Sequence, residues 1–83
     1  GKFSFQKDNR RQGFLTYKLA DAQTLIIEHT FVKEEFRGDD VGEKLVKSVV
    51  DFARNNDLKI IPECPFAAAE FKRNSEYSDI LKK

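Results

Sequence analysis

Apolar and polar positions change period along this chain, and each change marks an element. From Phe3 to Lys7, Phe3 and Phe5 alternate with Ser4 and Gln6, the period of a half-buried strand. Asp8-Asn9-Arg10-Arg11-Gln12-Gly13 reads as a polar turn closed by glycine, with Phe14 to Leu19 returning antiparallel as a second strand. A short turn at Asp21-Ala22-Gln23 leads into Thr24 to Val32. Alternation there puts Leu25, Ile27 and Phe31 on one face and Ile26 and Val32 on the other, the mark of an interior strand covered on both sides. From Val41 to Asn56 the period lengthens to that of a helix. Val41, Leu45, Val46, Val49, Val50, Phe52 and Ala53 fill one half of its wheel, and charged or polar residues fill the other. Asn55-Asn56-Asp57 ends it with residues that tolerate a left-handed turn. Leu58 to Ile61 is a short fourth strand stopped by Pro62. Pro65 suits the first turn of a second helix running to Arg73. Its apolar stripe starts at Phe66 and Ala69, and Glu70 stands where the next member is expected. Tyr77 to Leu81 forms a last half-turn or short helix.

Strand, helix and strand joined by short links cross over right-handed, so the fourth strand should lie parallel to the third. The expected fold is α+β: a three-stranded antiparallel meander, a parallel fourth strand, one long helix and a short C-terminal helix. A single domain covering residues 1–83 accounts for the whole pattern.

Charge changes the picture by exclusion. Fifteen Lys and Arg against 14 Asp and Glu leave a formal +1, which argues against nucleic acid as the main partner, since phosphate binding needs an uncompensated basic patch. One Cys and one His supply too few ligands for a Cys/His metal site, and a lone Cys fits a reducing compartment. No apolar run approaches the ~20 residues of a membrane span and no signal-peptide pattern opens the chain, so the expected location is cytoplasmic. Gly1, in place of an initiator Met, reads as a tag remnant.

The chemistry centres on Glu35 to Leu45, where a glycine-containing turn feeds the start of the best helix. One reading is structural: Asp40-Val41-Gly42-Glu43 matches a capping box, with Asp40 as N-cap and Glu43 reaching back. The other is a cradle for an anion. The loop lies beside the carboxyl ends of parallel strands, Arg37 supplies a cation, and Gly38 and Gly42 permit close backbone approach. His29 and Glu28, on opposite faces of the third strand by alternation, are each candidates for a general base. The alternatives are a packed histidine bonded to backbone and a glutamate paired with a lysine.

Arg37-Gly38-Asp39-Asp40-Val41-Gly42 resembles the acetyl-CoA pyrophosphate loop of the GNAT acetyltransferase superfamily, Q/R-x-x-G-x-G/A, with Asp40 where the pattern has Gly. His29-Thr30-Phe31-Val32, Ile60-Ile61-Pro62-Glu63-Cys64-Pro65-Phe66 and Lys72-Arg73-Asn74-Ser75-Glu76-Tyr77 extend the resemblance to the small single-domain, YjdJ-type GNAT-like proteins. The resemblance implies a GNAT fold reduced to its cofactor-binding half, with acetyl-CoA between diverging third and fourth strands. Its pantetheine arm would follow Phe31 and Val32, and its diphosphate would meet Arg37, Gly38, Asp39, Asp40, Val41 and Gly42. Phe66 would add a further contact, and Lys72 would either approach the phosphates or remain solvated. The resemblance also places Cys64 near the reactive end of CoA, as acetyl acceptor, proton-transfer group or positioning residue; its other reading is a small buried hydrophobe. The implied activity is transfer of an acetyl group to a small-molecule or protein amine by a monomer or homodimer. The rival is a non-catalytic CoA-binding or protein-interaction module, because strands that would build an acceptor pocket are missing.

Overall fold

The computed structural model describes residues 1–82. Four strands form one sheet in chain order: β1 (Lys2–Lys7), β2 (Arg10–Asp21), β3 (Thr24–Val32) and β4 (Lys59–Pro62). The first three are antiparallel, and β4 joins β3 in parallel after the crossover helix α1 (Val41–Asn55). A 3-10 turn at Glu34–Phe36 precedes α1, helix α2 (Pro65–Arg73) follows β4, and a 3-10 segment at Ser75–Ile80 closes the fold. The expected mixed sheet and helices are present.

The apolar half of α1 explains the core. Val41, Leu45, Val46, Val49, Val50 and Ala53 are all buried against Leu15, Leu25, Ile27 and Ile60 of the sheet. Ala67 and Phe71 of α2 and Ile80 join the same cluster. The buried stripe of α2 therefore runs Ala67, Glu70, Phe71, one residue on from the expected Phe66 and Ala69, and Ala69 is exposed. Glu70 is tolerated there because its buried carboxylate is paired with the guanidinium of the exposed Arg73. Beyond α1, Asp57 takes a left-handed φ of 56°, and Arg54 fastens the 3-10 segment through Asp79 at 2.8 Å.

Small irregularities in β2 and β3 decide which residues face where. The first hairpin turns on Asp8 and Asn9 alone, at φ 54° and 63°, the pair of left-handed residues that a tight hairpin needs. Strand β2 therefore starts at Arg10 rather than Phe14, and Gly13 lies within the strand. Gln12 is an extra residue against β1, and its carbonyl accepts the Lys33 N–H at 2.9 Å. In β3, Thr16 pairs with His29 and Tyr17 with Ile27, so Glu28 is a bulge residue with no partner in register.

That bulge inverts the parity of β3. Phe31 is paired with Phe14 on the face away from the helices, their rings 5.3 Å apart, and Val32 packs toward the core. The expected grouping of Phe31 with Leu25 and Ile27, and of Val32 with Ile26, is thus reversed. Nor is β3 covered on both sides: both helices join one core cluster, while Phe14, Ile26 and Phe31 lie outside it on an open face. Phe31 is 45% exposed.

Gly13 tests this register. A Cβ there would stand 2.6 Å from the Phe31 carbonyl oxygen and 3.2 Å from Val32 Cα, backbone atoms that cannot swing aside. Gly13→Ala should cost about 1–3 kcal/mol, lowering the melting midpoint in calorimetry by about 4–8 °C per kcal/mol. An unchanged midpoint would show that the two strands separate freely at this point.

Candidate functional site

The cleft arises where β3 and β4 stop pairing. Their ladder ends at Ile27 and Pro62, and Pro62 has no N–H with which to continue it. The N–H groups of Glu63 and Cys64 both donate to the Ile27 carbonyl, at 3.1 and 3.2 Å. The chain then turns away into α2 at Pro65. Beyond the Glu28 bulge, β3 continues to Val32 with no strand on its β4 side. A cavity of about 330 Å³ opens there, lined by Thr30, Phe31, Val32, Arg37, Gly42, Glu43 and Phe66.

The loop on the other wall is built from competing demands on its N–H groups. Arg37 N–H donates to Glu34 and Asp39 N–H to Phe36, so these two are spent on the turn. Asp40 stands at the N-cap of α1 in a left-handed conformation, φ 60° and ψ 26°, and its carboxylate makes no capping hydrogen bond. The expected capping box with Glu43 does not form, because N-cap side chains reach the first turn from an extended backbone. Among the described residues, the N–H groups of Val41, Gly42 and Glu43 have no protein acceptor, as at any uncapped helix start. Val41 places its side chain in the core, leaving only its backbone for the cleft.

The two loop glycines differ. A Cβ on Gly42 would meet the Phe66 ring at 2.6 Å, so this glycine lets α2 close over the start of α1. A Cβ on Gly38 would meet nothing within 4 Å, and its φ is not left-handed. Nothing inside the protein calls for glycine at that position. Arg37 lines the cleft and its Nε donates to the Val32 carbonyl at 3.4 Å, tying the loop to the free edge of β3. Asp39 and Asp40 are exposed.

Cys64 sits at the N-cap of α2, 6% exposed, with its Sγ donating to Thr30 Oγ1 at 3.5 Å. Burial pushes the thiol up, but hydrogen bonding by the Thr30 hydroxyl and by the backbone of Ala67, Phe66 and Thr30 outweighs it, and the net shift is downward. The structure thus joins Cys64 to β3 through Thr30, a residue that sequence reasoning missed. No spacing rule links positions 34 residues apart. Glu43, assigned to capping, instead lines the cleft.

The two base candidates share a face. His29 is opposite Thr16, and the Glu28 carboxylate lies 3.9 Å from Lys18, two residues along the same side of β2. The bulge therefore overturns their expected placement on opposite faces, and both belong to the open side. His29 is exposed, whereas Glu28 is occupied by Lys18. Lys72 is exposed and not part of the cleft lining. It stands six residues beyond Phe66, about 9 Å along the helix axis and a third of a turn away.

A parallel strand pair thus splays open against an uncapped helix start, and Cys64 joins the cavity wall through its contact with Thr30. The sequence profile described as GCN5-related N-acetyl-transferase matches residues 2–80, and the chain belongs to that family. The solution structure of a "GCN5-like putative N-acetyltransferase" from Staphylococcus aureus is similar at a TM-score of 0.80 and 38% identity, covering 98% of this chain and 80% of that one. Protein NATD1 of Danio rerio is 32% identical over 60 residues, 72% of this chain. Those residues span 54% of that relative, so this chain corresponds to about half of it. No helix of the described residues is long and apolar enough to cross a membrane.

The lowered thiol makes a direct prediction. Cys64 is the sole cysteine, so thiolate absorbance near 240 nm should titrate below the ~8.5 of a free thiol, and Thr30→Val should move it up. The sign carries into stability. A depressed native pKa adds stability above the ordinary thiol value, and that increment is lost as pH falls through the native value. A midpoint at or above that of the free thiol would remove the anion-stabilising role of Thr30 and the α2 start.

Proposed function

We propose that the cleft binds acetyl-CoA and that the chain transfers its acetyl group to a primary amine. The observation that carries this is the facing of two unsatisfied backbone surfaces, the free edge of β3 and the first turn of α1, across one cavity. An extended amide-bearing arm satisfies the first as an added strand would. A diphosphate suits the second, aided by Arg37. Gly38 fits the same ligand, since close approach by an external group explains a glycine that the protein does not need. A cavity of about 330 Å³ holds the arm, with the nucleotide end over the Arg37 to Gly42 loop.

Bound acetyl-CoA would supply an activated thioester at the inner end of the cleft. Phe66, standing between the start of α1 and the cavity, would help to exclude water. Cys64, held by Thr30 and by the α2 start, is placed to hold or move a proton at Sγ. His29 is the preferred base toward the amine, because it is exposed on the open face and Glu28 is engaged by Lys18. Phe31 and Val32 would contribute backbone, and Lys72 takes no part.

Binding should be modest. Asp39, Asp40 and Glu43 put three carboxylates around one cradle, against Arg37. Titration calorimetry with CoA tests the reading, with a rise in melting midpoint at millimolar CoA as its companion; no heat and no shift would remove it. Asp40→Gly should tighten CoA about three- to fivefold, since it removes a like charge and places glycine at a left-handed position. Gly38→Val should leave the melting midpoint within about 2 °C while weakening CoA about tenfold or more, because the added side chain meets only the ligand. Equal affinity in both variants would place the diphosphate elsewhere.

A further inference from the structure

A second cavity, of about 420 Å³, adjoins the first across Phe31 and opens on the helix-free face. Gln6, Asn9, Arg11 and Lys33 line it, and the rings of Phe14 and Phe31, tilted by 31° to each other, form its apolar part. Three features distinguish it from ordinary solvated surface. Phe31 is one of two large apolar side chains left exposed, and it belongs to both cavities. Arg11 and Lys33 are brought together by the Gln12 bulge, through the hydrogen bond from Lys33 N–H to the Gln12 carbonyl. Among the described residues no carboxylate, those of Asp8 and Glu34 included, lies within 4.0 Å of either cation. The neighbouring Arg10, by contrast, is paired with Glu35 at 3.2 Å.

Two unpaired cations beside the exposed Phe31 ring, next to the half-buried Phe14 with Lys2 Nζ 4.6 Å from its ring centroid, complement a carboxylate carried on an aromatic body. We propose that this cavity is an acceptor subsite, in which Arg11 and Lys33 hold the carboxylate of an aromatic amine and Phe14 and Phe31 receive its ring. The inference rests on the acetyl-transfer reading of the neighbouring cleft and names the class of acceptor. Its position suits that role. Phe31 follows Thr30, which touches Cys64, and Lys33, the extended residue just past β3, is about 10 Å from Thr30 at ~3.3 Å per residue. A benzylic amine with a para carboxylate, met by long cationic side chains, spans that distance. The same two cations could instead hold a phosphate of CoA, and the test separates these sources.

The probes are 4-(aminomethyl)benzoate and 4-(aminomethyl)benzamide, which differ in the charge of one group. With acetyl-CoA, the wild type should acetylate the benzoate with kcat/KM at least tenfold above the benzamide. The double variant Arg11→Gln/Lys33→Gln, at two exposed positions, should abolish that preference and leave CoA affinity unchanged. No preference in the wild type, or a preference that survives the double variant, overturns the proposal. Loss of CoA affinity in the double variant would assign the cations to CoA and overturn it equally. Amide chemical-shift mapping with the same probes reads the subsite without turnover. Shifts at Gly13, Phe14 and Lys33 with the benzoate, absent in the double variant, support it; equal shifts with the benzamide, or none, overturn it. Absence of turnover with every amine would defeat the transfer reading alone, and the shift mapping would still decide the anion subsite.

Discussion

One carbonyl, that of Ile27, accepts the N–H groups of both Glu63 and Cys64, and the rest of the site follows from this. Pro62 cannot extend the parallel ladder, and Glu28 bulges out of register with β2, so β3 and β4 must part at that point. Parting leaves backbone groups of β3 without partners, which a folded chain tolerates only where water or a ligand can reach them. The double hydrogen bond at Ile27 also brings Cys64 beside Thr30 and aims the start of α2 at the cleft.

Across the cleft, the start of α1 shows the same trade between internal satisfaction and availability. A capped helix would have offered fewer N–H groups to an anion. The left-handed backbone at Asp40 withholds its carboxylate from that task, keeps the first turn open and leaves the charge near the cradle. On the CoA-binding reading proposed above, stability and binding would pull in opposite directions at this residue. At Gly42 they agree, since the closeness that lets Phe66 pack there also shapes the cavity wall.

The sheet face without helices is the other feature that shapes the site. Among the described residues both helices pack into one core cluster on one side of the sheet and leave Phe14 and Phe31 on the other. The bulge at Glu28 turns Glu28, His29 and Phe31 to that side, next to the reactive end proposed for the cleft. The chain belongs to the GCN5-related N-acetyltransferase family, and on the acetyl-transfer reading proposed above this open face is where an acceptor would approach.

The loop at Arg37 to Gly42 and the long helix behind it were legible from the sequence, because helical periodicity and glycine placement are local signals. So were the meander, the parallel β4 and the turn at Asp57. The faces of β3 were not. Alternation assigns faces correctly only in an unbroken strand, and whether Glu28 bulges depends on its pairing with Thr16 and Tyr17 of another strand. For the same reason Thr30 escaped notice, since its role comes from Cys64 arriving after a crossover. The cap at Asp40 was misread because residue type names a capacity, while the backbone angle decides whether it is used. Local propensity and hydrophobic period thus determined which segments exist and where the glycine-containing loop feeds the long helix. Only the tertiary structure, through one bulge and one shared carbonyl, decided which side chains meet there.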